Sequence, residues 1–227
     1  MKAPISDIFF DLDHTLWDFD KNSALTFEVI FKNKNISIGL PTFLDVYIPL
    51  NYQYWERFRK GEITQQELRI GRLRDSFLAL QYSVSDELLI ELSHQYIENL
   101  PNHNYLFDGA LEILDYLSTK YKLHIITNGF DQVQTRKIEN SGLTKYFQTI
   151  TNSEMAGVKK PDPLIFEYAL QQAQAEKTSS IMIGDCIDAD VKGAMGCGID
   201  AILFHQENCA EVGIKQIKHL VELKNYL

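Results

Sequence analysis

The chain has 227 residues, of which 45% are apolar and 23% charged, and it carries a formal net charge of −9 at pH 7. A chain of that length buries roughly 70% of its unfolded surface, so it needs no covalent staples, and its negative balance disfavours a nucleic-acid polymer or an anionic membrane as partner. The Cys residues, Cys186, Cys197 and Cys209, are odd in number and lack C-x-x-C spacing, which argues against a disulfide framework or a zinc site and makes a reducing cytoplasm the expected compartment.

No long apolar stretch precedes the first acids, so no signal peptide is expected, and no apolar run approaches the roughly 18 residues of a membrane span. The first expected strand is DIFFD, ending at Asp11. It opens onto FFDLDHTLWDFD, where Asp11, Asp13, Asp18 and Asp20 crowd together without a Lys or Arg. Burying a carboxylate without a partner is costly, so this stretch calls for a cation from elsewhere. Residues 17–103 then read as an inserted helical domain. NSALTFEVIFKNK, TFLDVYIPLNYQYWERFRKGE, TQQELRIGRLRDSFLAL and SDELLIELSHQYIENL carry helical patterns; the third opens with a Thr64–Glu67 capping box after Gly61, and Pro101 follows the fourth.

Strand and helix alternate from about residue 105. Asp108 is expected to cap a helix with Leu111, Leu114 and Leu117 at three-residue spacing. KLHIIT ends at Thr127, Asp131 is expected to cap a helix that stops at Gly142, and FQTIT is a weaker strand near Thr149. Asp162 has the form of an N-cap with Pro163 at N1, and IMIGD and DAILF end at Asp185 and Phe204. Apart from FQTIT, the strands are near-continuous apolar runs, as in a parallel sheet covered on both faces. The fold class expected is therefore α/β, a doubly wound, Rossmann-like parallel sheet made from residues 1–16 and 104–227, with the helical domain inserted over the carboxyl end of its first strand.

Asp11, Thr127 and Asp185 each stand as the last residue of an expected strand, and parallel strands would bring them to one sheet edge. The motifs DLDHT, IITNG, VKKPDP and IGDCIDAD, in this order and spacing, resemble the signature of the haloacid dehalogenase-like (HAD) hydrolase superfamily. That resemblance implies a Mg²⁺ site made by Asp11, Asp185 and the backbone carbonyl of Asp13. It implies Asp11 as the nucleophile that forms an aspartyl-phosphate, and Asp13 as the acid that protonates the leaving alkoxide and then activates water. Thr127, Lys160 and the backbone amides of Asn128 and Gly129 would hold the phosphoryl oxygens, and Asp190 would support the metal's water shell or orient Lys160.

Several neighbours have plainer readings. Asp131 and Asp162 are expected as helix caps, Lys159 as a solvated neighbour of Lys160, and Thr15 as a residue that secures the turn after the strand. Asp18 and Asp20 read as solvated, hinge or capping carboxylates, and Asp190 could simply sit near a helix N-terminus. Cys186 stands where the family usually has Ser or Thr, and is expected to be structural with a weaker hydrogen bond.

Phosphate-ester cleavage needs an acid at position 13, whereas carbon–halogen cleavage does not, so Asp13 favours phosphoryl transfer. The helical insert resembles a C1-type cap, which shields a small substrate. DLDHTLWDFD, YWERFRKGEITQQELRIGR and ITNGFDQVQTRKIENSGL together resemble the bacterial YjjG/YfnB-type pyrimidine 5′-nucleotidases. The resemblance implies a small phosphorylated metabolite, a nucleoside monophosphate such as dUMP, UMP or dTMP, as substrate. Trp55, Arg59 and Arg72 are candidate substrate contacts, although Tyr52, Trp55 and Arg59 also share the helical spacing of a packed face. A phosphatase of another small metabolite, a β-phosphoglucomutase-like mutase and a non-catalytic binding module are the alternatives.

Overall fold

The computed structural model describes residues 4–207 and 213–227; Cys209 lies outside them. The chain forms two compact units, Met1–Phe19 with Asn104–Leu227, and Asp20–His103. Among the described residues no helix is long and apolar enough to cross a membrane.

The first unit is built on a six-stranded sheet, in which every pair is parallel. Its strands are β1 (Asp7–Phe10), β2 (Lys122–Thr127), β3 (Phe147–Asn152), β4 (Ser180–Gly184), β5 (Asp200–Phe204) and β6 (Lys215–Ile217), in the order β3-β2-β1-β4-β5-β6. β1 is central: Phe10 stands in register with Ile125 on one side and Ile183 on the other. Ile8, Phe9, Phe10, Ile125, Ile126, Met182 and Ile183 are buried, which explains why these runs are apolar without alternation. Phe9, Ile126 and Met182 pack with Ile165, Phe166 and Ala169, which lie on the helix Pro163–Ala173. The fold class is the one expected from the sequence.

Three local expectations need correction. Asp11 and Asp185 lie one residue beyond their strands rather than within them. The chain turns there, although the Asp11 amide still donates to the Ile183 carbonyl at 2.9 Å. Asp108 does not cap the helix Ala110–Ser118: the N-cap is Gly109, at φ +79, and no side chain bonds the first turn. The buried residues of that helix are Ala110, Ile113, Leu114 and Leu117, whereas Leu111 is exposed. Asp131 is the first residue of its helix, Asp131–Asn140, and its carboxylate accepts from Asn152 Nδ2 at 2.6 Å instead of capping. Asp162 does cap, accepting from the Leu164 amide at 2.9 Å. The short edge strand β6 and the single helical turn Ser153–Ala156 had no expected counterpart.

Trp17 belongs to the first unit. It is fully buried, its amide donates to the Leu12 carbonyl at 2.9 Å, and it bridges to both Asp13 and Leu106. The segment after β1 is therefore a tight loop closed on itself, with His14 in the left-handed region at φ 62.

The second unit consists of α1 (Phe19–Lys34, whose first residue is counted with the α/β unit), α2 (Leu40–Arg59), α3 (Gln65–Ala79) and α4 (Asp86–Asn99). Thr64 and Glu67 form a reciprocal capping box at the start of α3, and Ser85 caps α4 through the Leu88 amide. Its core is aromatic: the ring of Phe27 lies 4.7–5.8 Å from those of Phe31, Phe43, Tyr47 and Tyr96.

Candidate active site

In an open α/β sheet the crevice for a ligand lies beyond the carboxyl ends of the strands, where the strand order reverses. Here the chain leaves β1 for β2 on one side and returns through β4 on the other. That topology sets Asp11, just after β1, beside Asp185, just after β4. Oxygens of Asp11, Asp185 and Asp190 lie within 4.8 Å of one another.

One buried lysine holds this edge together. Lys160 Nζ donates to Asp11 Oδ1 at 2.6 Å and to the Ile126 carbonyl at 2.7 Å, and it stands 2.6 Å from Asp190 Oδ1. Two of its hydrogens are thus given to Asp11 and Ile126, and Asp190 meets it as an ion pair. The other oxygen of Asp190 accepts from the Cys186 amide at 2.9 Å. Asp190 thus has both oxygens engaged and braces Lys160 rather than presenting a free carboxylate. Its carboxylate rests on Gly184: a Cβ there would stand 2.3 Å from Asp190 Oδ2, so any side chain at position 184 would dislodge it. Residues Ile187–Lys192 form one π-helical turn, in which the Cys186 carbonyl accepts from the amides of Asp190 and Val191. Cys186 Sγ accepts from the Ala189 amide at 3.5 Å, the long, weak bond expected of sulfur.

Thr15 does more than secure its turn. Its side chain is fully buried and donates to Asp185 Oδ1 at 3.2 Å. Asn128 clasps Lys160 by its backbone: its Oδ1 accepts from the Lys160 amide at 2.7 Å, and its Nδ2 donates to the Lys160 carbonyl at 3.0 Å. The IITNG and VKKPDP segments are thereby locked to each other.

A second charged cluster surrounds Asp13. Lys137 Nζ donates to Asp13 Oδ1 at 2.6 Å, and Gln134 Nε2 donates to Asp13 Oδ2 at 2.9 Å. Gln134 Nε2 also donates to Thr127 Oγ1 at 2.7 Å, and the Gly129 amide reaches the same hydroxyl at 3.1 Å. Neither Gln134 nor Lys137 was singled out from the sequence. Both lie on the buried face of Asp131–Asn140 with Val133 and Ile138. A Gln and a Lys at three-residue spacing on an apolar helix face were the available signal.

The acidic edge suits a hard cation that takes oxygen ligands. Burial pushes the Asp11 carboxyl well above the usual carboxylate range; Lys160 opposes the rise, while Asp190 and Asp185 add to it. Burial, then the neighbouring Asp190, raises Asp185 from 3.8 to about 8. Burial alone would lower Lys160, but Asp11 and Asp190 outweigh it and hold the ammonium above its ordinary value. One lysine does not compensate this group of acids. A divalent cation on Asp11 and Asp185 would supply the missing charge.

The candidate substrate residues lie in the helical unit. Trp55 and Arg59 are half-buried on α2, and the Trp55 ring meets Phe58 edge-on at 5.7 Å. Arg72 is buried: its Nη1 donates to Asn51 Oδ1 at 2.6 Å, and its guanidinium lies 5.1 Å from the Tyr96 ring and 5.8 Å from that of Tyr47.

Fold and edge together define a doubly wound α/β enzyme. The chain belongs to the haloacid dehalogenase-like hydrolases: the sequence model of that family matches residues 8–204. It is 32% identical to the pyrimidine 5′-nucleotidase PynA of Streptococcus pneumoniae over 206 residues, covering 88% of this chain and 85% of that protein. It is also 32% identical to the pyrimidine 5′-nucleotidase YjjG of Escherichia coli, over 85% of this chain and 82% of that one. The crystal structure of the HAD-hydrolase YfnB of Bacillus subtilis, bound to magnesium and revealing interdomain movement, superposes with a TM-score of 0.89 at 27% identity, covering 99% of both chains.

Proposed function

We propose that this protein is a Mg²⁺-dependent phosphomonoesterase that hydrolyses pyrimidine nucleoside 5′-monophosphates through an aspartyl-phosphate on Asp11. The observation that carries the reading is the division of labour at the sheet edge. Asp11 is bound by a buried ammonium beside a second acid, whereas Asp13, two residues on, is held in a separate cluster. A nucleophile and a proton-transfer group need such separate environments. The two nucleotidase relatives support the substrate class.

Magnesium, held by Asp11, Asp185 and the Asp13 carbonyl, would neutralise charge on the carboxylates and the phosphoryl oxygens. A carboxylate oxygen of Asp11 attacks phosphorus, and the bond from phosphorus to the ester oxygen breaks. Asp13 gives its proton to that oxygen, releasing the nucleoside. Water then attacks phosphorus in the aspartyl-phosphate. Asp13 takes the water's proton, and Asp11 leaves as carboxylate with release of inorganic phosphate. Lys160 hands its Asp11 bond to a phosphoryl oxygen as the intermediate forms, while the Asp190 and Ile126 bonds keep it in place. The Thr127 hydroxyl and the Asn128 amide donate to the other phosphoryl oxygens, whereas the Gly129 amide, expected among these donors, is given to Thr127 Oγ1. The helical unit serves as the cap, with Trp55 and Arg59 available to contact the leaving nucleoside. Arg72, clamped among Asn51, Tyr47 and Tyr96, acts mainly as a packing residue of that unit. The enzyme works in the cytoplasm on a soluble metabolite.

Phosphate release from UMP, dUMP, dTMP and a panel of sugar phosphates, with Mg²⁺ and with EDTA, tests the proposal. Faster release from the nucleotides and silence in EDTA are expected. Turnover of hexose phosphates with none of nucleotides would remove the nucleotidase reading; full activity in EDTA would remove the metal.

A further inference from the structure

Gln134 is almost completely buried, yet it is polar, and the resemblance that covers its segment gave it no role of its own. Its amide has two hydrogens, and both are committed, one to Asp13 Oδ2 at 2.9 Å and the other to Thr127 Oγ1 at 2.7 Å. The NH₂ side of the amide thus faces Asp13, whose other oxygen accepts from Lys137 Nζ at 2.6 Å. The Gln134 Oε1 is left buried without a partner among the described residues. That unpaired acceptor disfavours a role in packing alone.

The consequence falls on Thr127. Its hydroxyl oxygen has two lone pairs, and they accept from Gln134 Nε2 and from the Gly129 amide at 3.1 Å. The hydroxyl hydrogen cannot point back at either donor, so it must be given outward. Lys137 supplies the second hold on Asp13, at 2.6 Å, and is itself confined: it is buried, with its ammonium 4.2 Å from the Trp17 ring and 5.2 Å from that of Phe19. Gln134 and Lys137 stand three residues apart on one helix face, so a single rigid element aims both groups.

We propose that Gln134 and Lys137 are a positioning pair that sets the polarity of the active site, with Gln134 turning the Thr127 hydroxyl into an outward donor for the phosphoryl group while the two side chains together fix the direction of the Asp13 carboxylate. Both act through Asp13 and Thr127. The inference rests on the phosphomonoesterase reading, and it assigns to these residues the aim of the donor and of the proton-transfer group, not their acidity.

The test compares the full-length wild type with Gln134→Met and Lys137→Met in Mg²⁺, on UMP and on p-nitrophenyl phosphate. UMP has an alkoxide leaving group that needs a proton, whereas nitrophenolate leaves without one. Misaiming Asp13 should lower kcat on UMP roughly a hundredfold, the scale of a small misplacement at a reacting centre. With p-nitrophenyl phosphate the first step survives and hydrolysis of the intermediate slows, so both variants should show a burst of nitrophenolate, approaching one equivalent per site, that the wild type lacks. Gln134→Met should also weaken inhibition by inorganic phosphate about tenfold or more, the scale of losing a hydrogen bond to a charged group. Lys137→Met should not, because the Lys137 ammonium is given to Asp13. Wild-type rates in a folded variant overturn the proposal, and so does an equal loss on both substrates with no burst. Loss of the fold in both variants would assign the pair to packing and overturn it as well. A wild type that releases phosphate from neither substrate removes the parent reading instead.

Discussion

The two units bury polar groups in opposite ways. At the sheet edge of the α/β unit, charges are buried in opposition: Lys160 against Asp11 and Asp190, Lys137 against Asp13. In the helical unit the interior is a cluster of Phe and Tyr rings, and the buried Arg72 is met by an amide oxygen and aromatic faces. Opposed charges in low dielectric are stable only while each partner is present, whereas stacked rings depend on volume and shape. The first arrangement suits chemistry and the second suits a folded support. Substitutions in the two places should therefore fail differently.

The largest effect is expected from Asp11→Asn, which keeps the shape of the site and removes the proposed nucleophile. Phosphate release should fall roughly 10⁴-fold or more, while circular dichroism and the thermal midpoint show the fold retained. Residual turnover within tenfold of wild type would mean that Asp11 is not the attacking group. The opposite behaviour is expected of Phe27→Ala in the helical unit. Phe27 is 1% exposed and packs against four rings. Its loss should cost about 3–5 kcal/mol in denaturant unfolding; a cost below about 1 kcal/mol would show that the cluster repacks freely and would dissolve the contrast.

The sheet edge should carry a pH dependence of its own, which His124, lowered by burial, opposes in part. Asp185 has its pKa raised from 3.8 to about 8 in the fold. Between those values the folded protein keeps a proton that the unfolded chain has released. The associated stabilisation is full at the acid end of that window and is lost as pH rises through about 8. Asp11, raised by the same burial, acts in the same direction. Metal-free protein should thus lose stability from about pH 5 to pH 8, apart from other titrating groups. Added Mg²⁺ should stabilise more at the upper pH, because a cation favours the ionised carboxylates. Comparing denaturation midpoints in EDTA and in Mg²⁺ at both pH values checks this. A magnesium effect that is equal at the two, or larger at the lower one, would contradict the assignment of Asp11 and Asp185 as ligands. The smallest change is expected from Thr64→Ala, which removes one half of the α3 capping box. It should cost about 1 kcal/mol in denaturant unfolding and leave kcat on UMP unaltered; a drop in kcat would tie that helix end to turnover.

Much of the fold was legible because its signals are local. Four of the strands are apolar runs, and the Thr64–Glu67 and Asp162–Pro163 caps announce their helices within a few residues. What escaped was short or ambiguous. β6 is a three-residue edge strand that runs from exposed to buried, too brief for a period to show. Asp108 has the chemistry of a cap, but the left-handed Gly109 after it takes the N-cap position. The candidate site was legible where a motif marks it, as at Asp11, Asp13, Thr127, Lys160 and Asp185. Gln134 and Lys137 lie in a segment that carries the resemblance but are not themselves marked in it, and Thr15, the Thr of DLDHT, gave no sign of its bond to Asp185.

By itself, then, the sequence determined the strand and helix alternation, the helical insert and the identity of the carboxylates and lysine at the sheet edge, since apolar runs, cap residues and motif spacing act over a few residues. Only the tertiary structure decided which charge meets which. Lys160 reaches Asp11 across 149 positions, Lys137 reaches Asp13 across 124, and Thr15 reaches Asp185 across 170. Such pairings follow from the strand order and from which helix face is buried, and ion pairs or hydrogen bonds between distant segments leave no periodic trace in either segment alone.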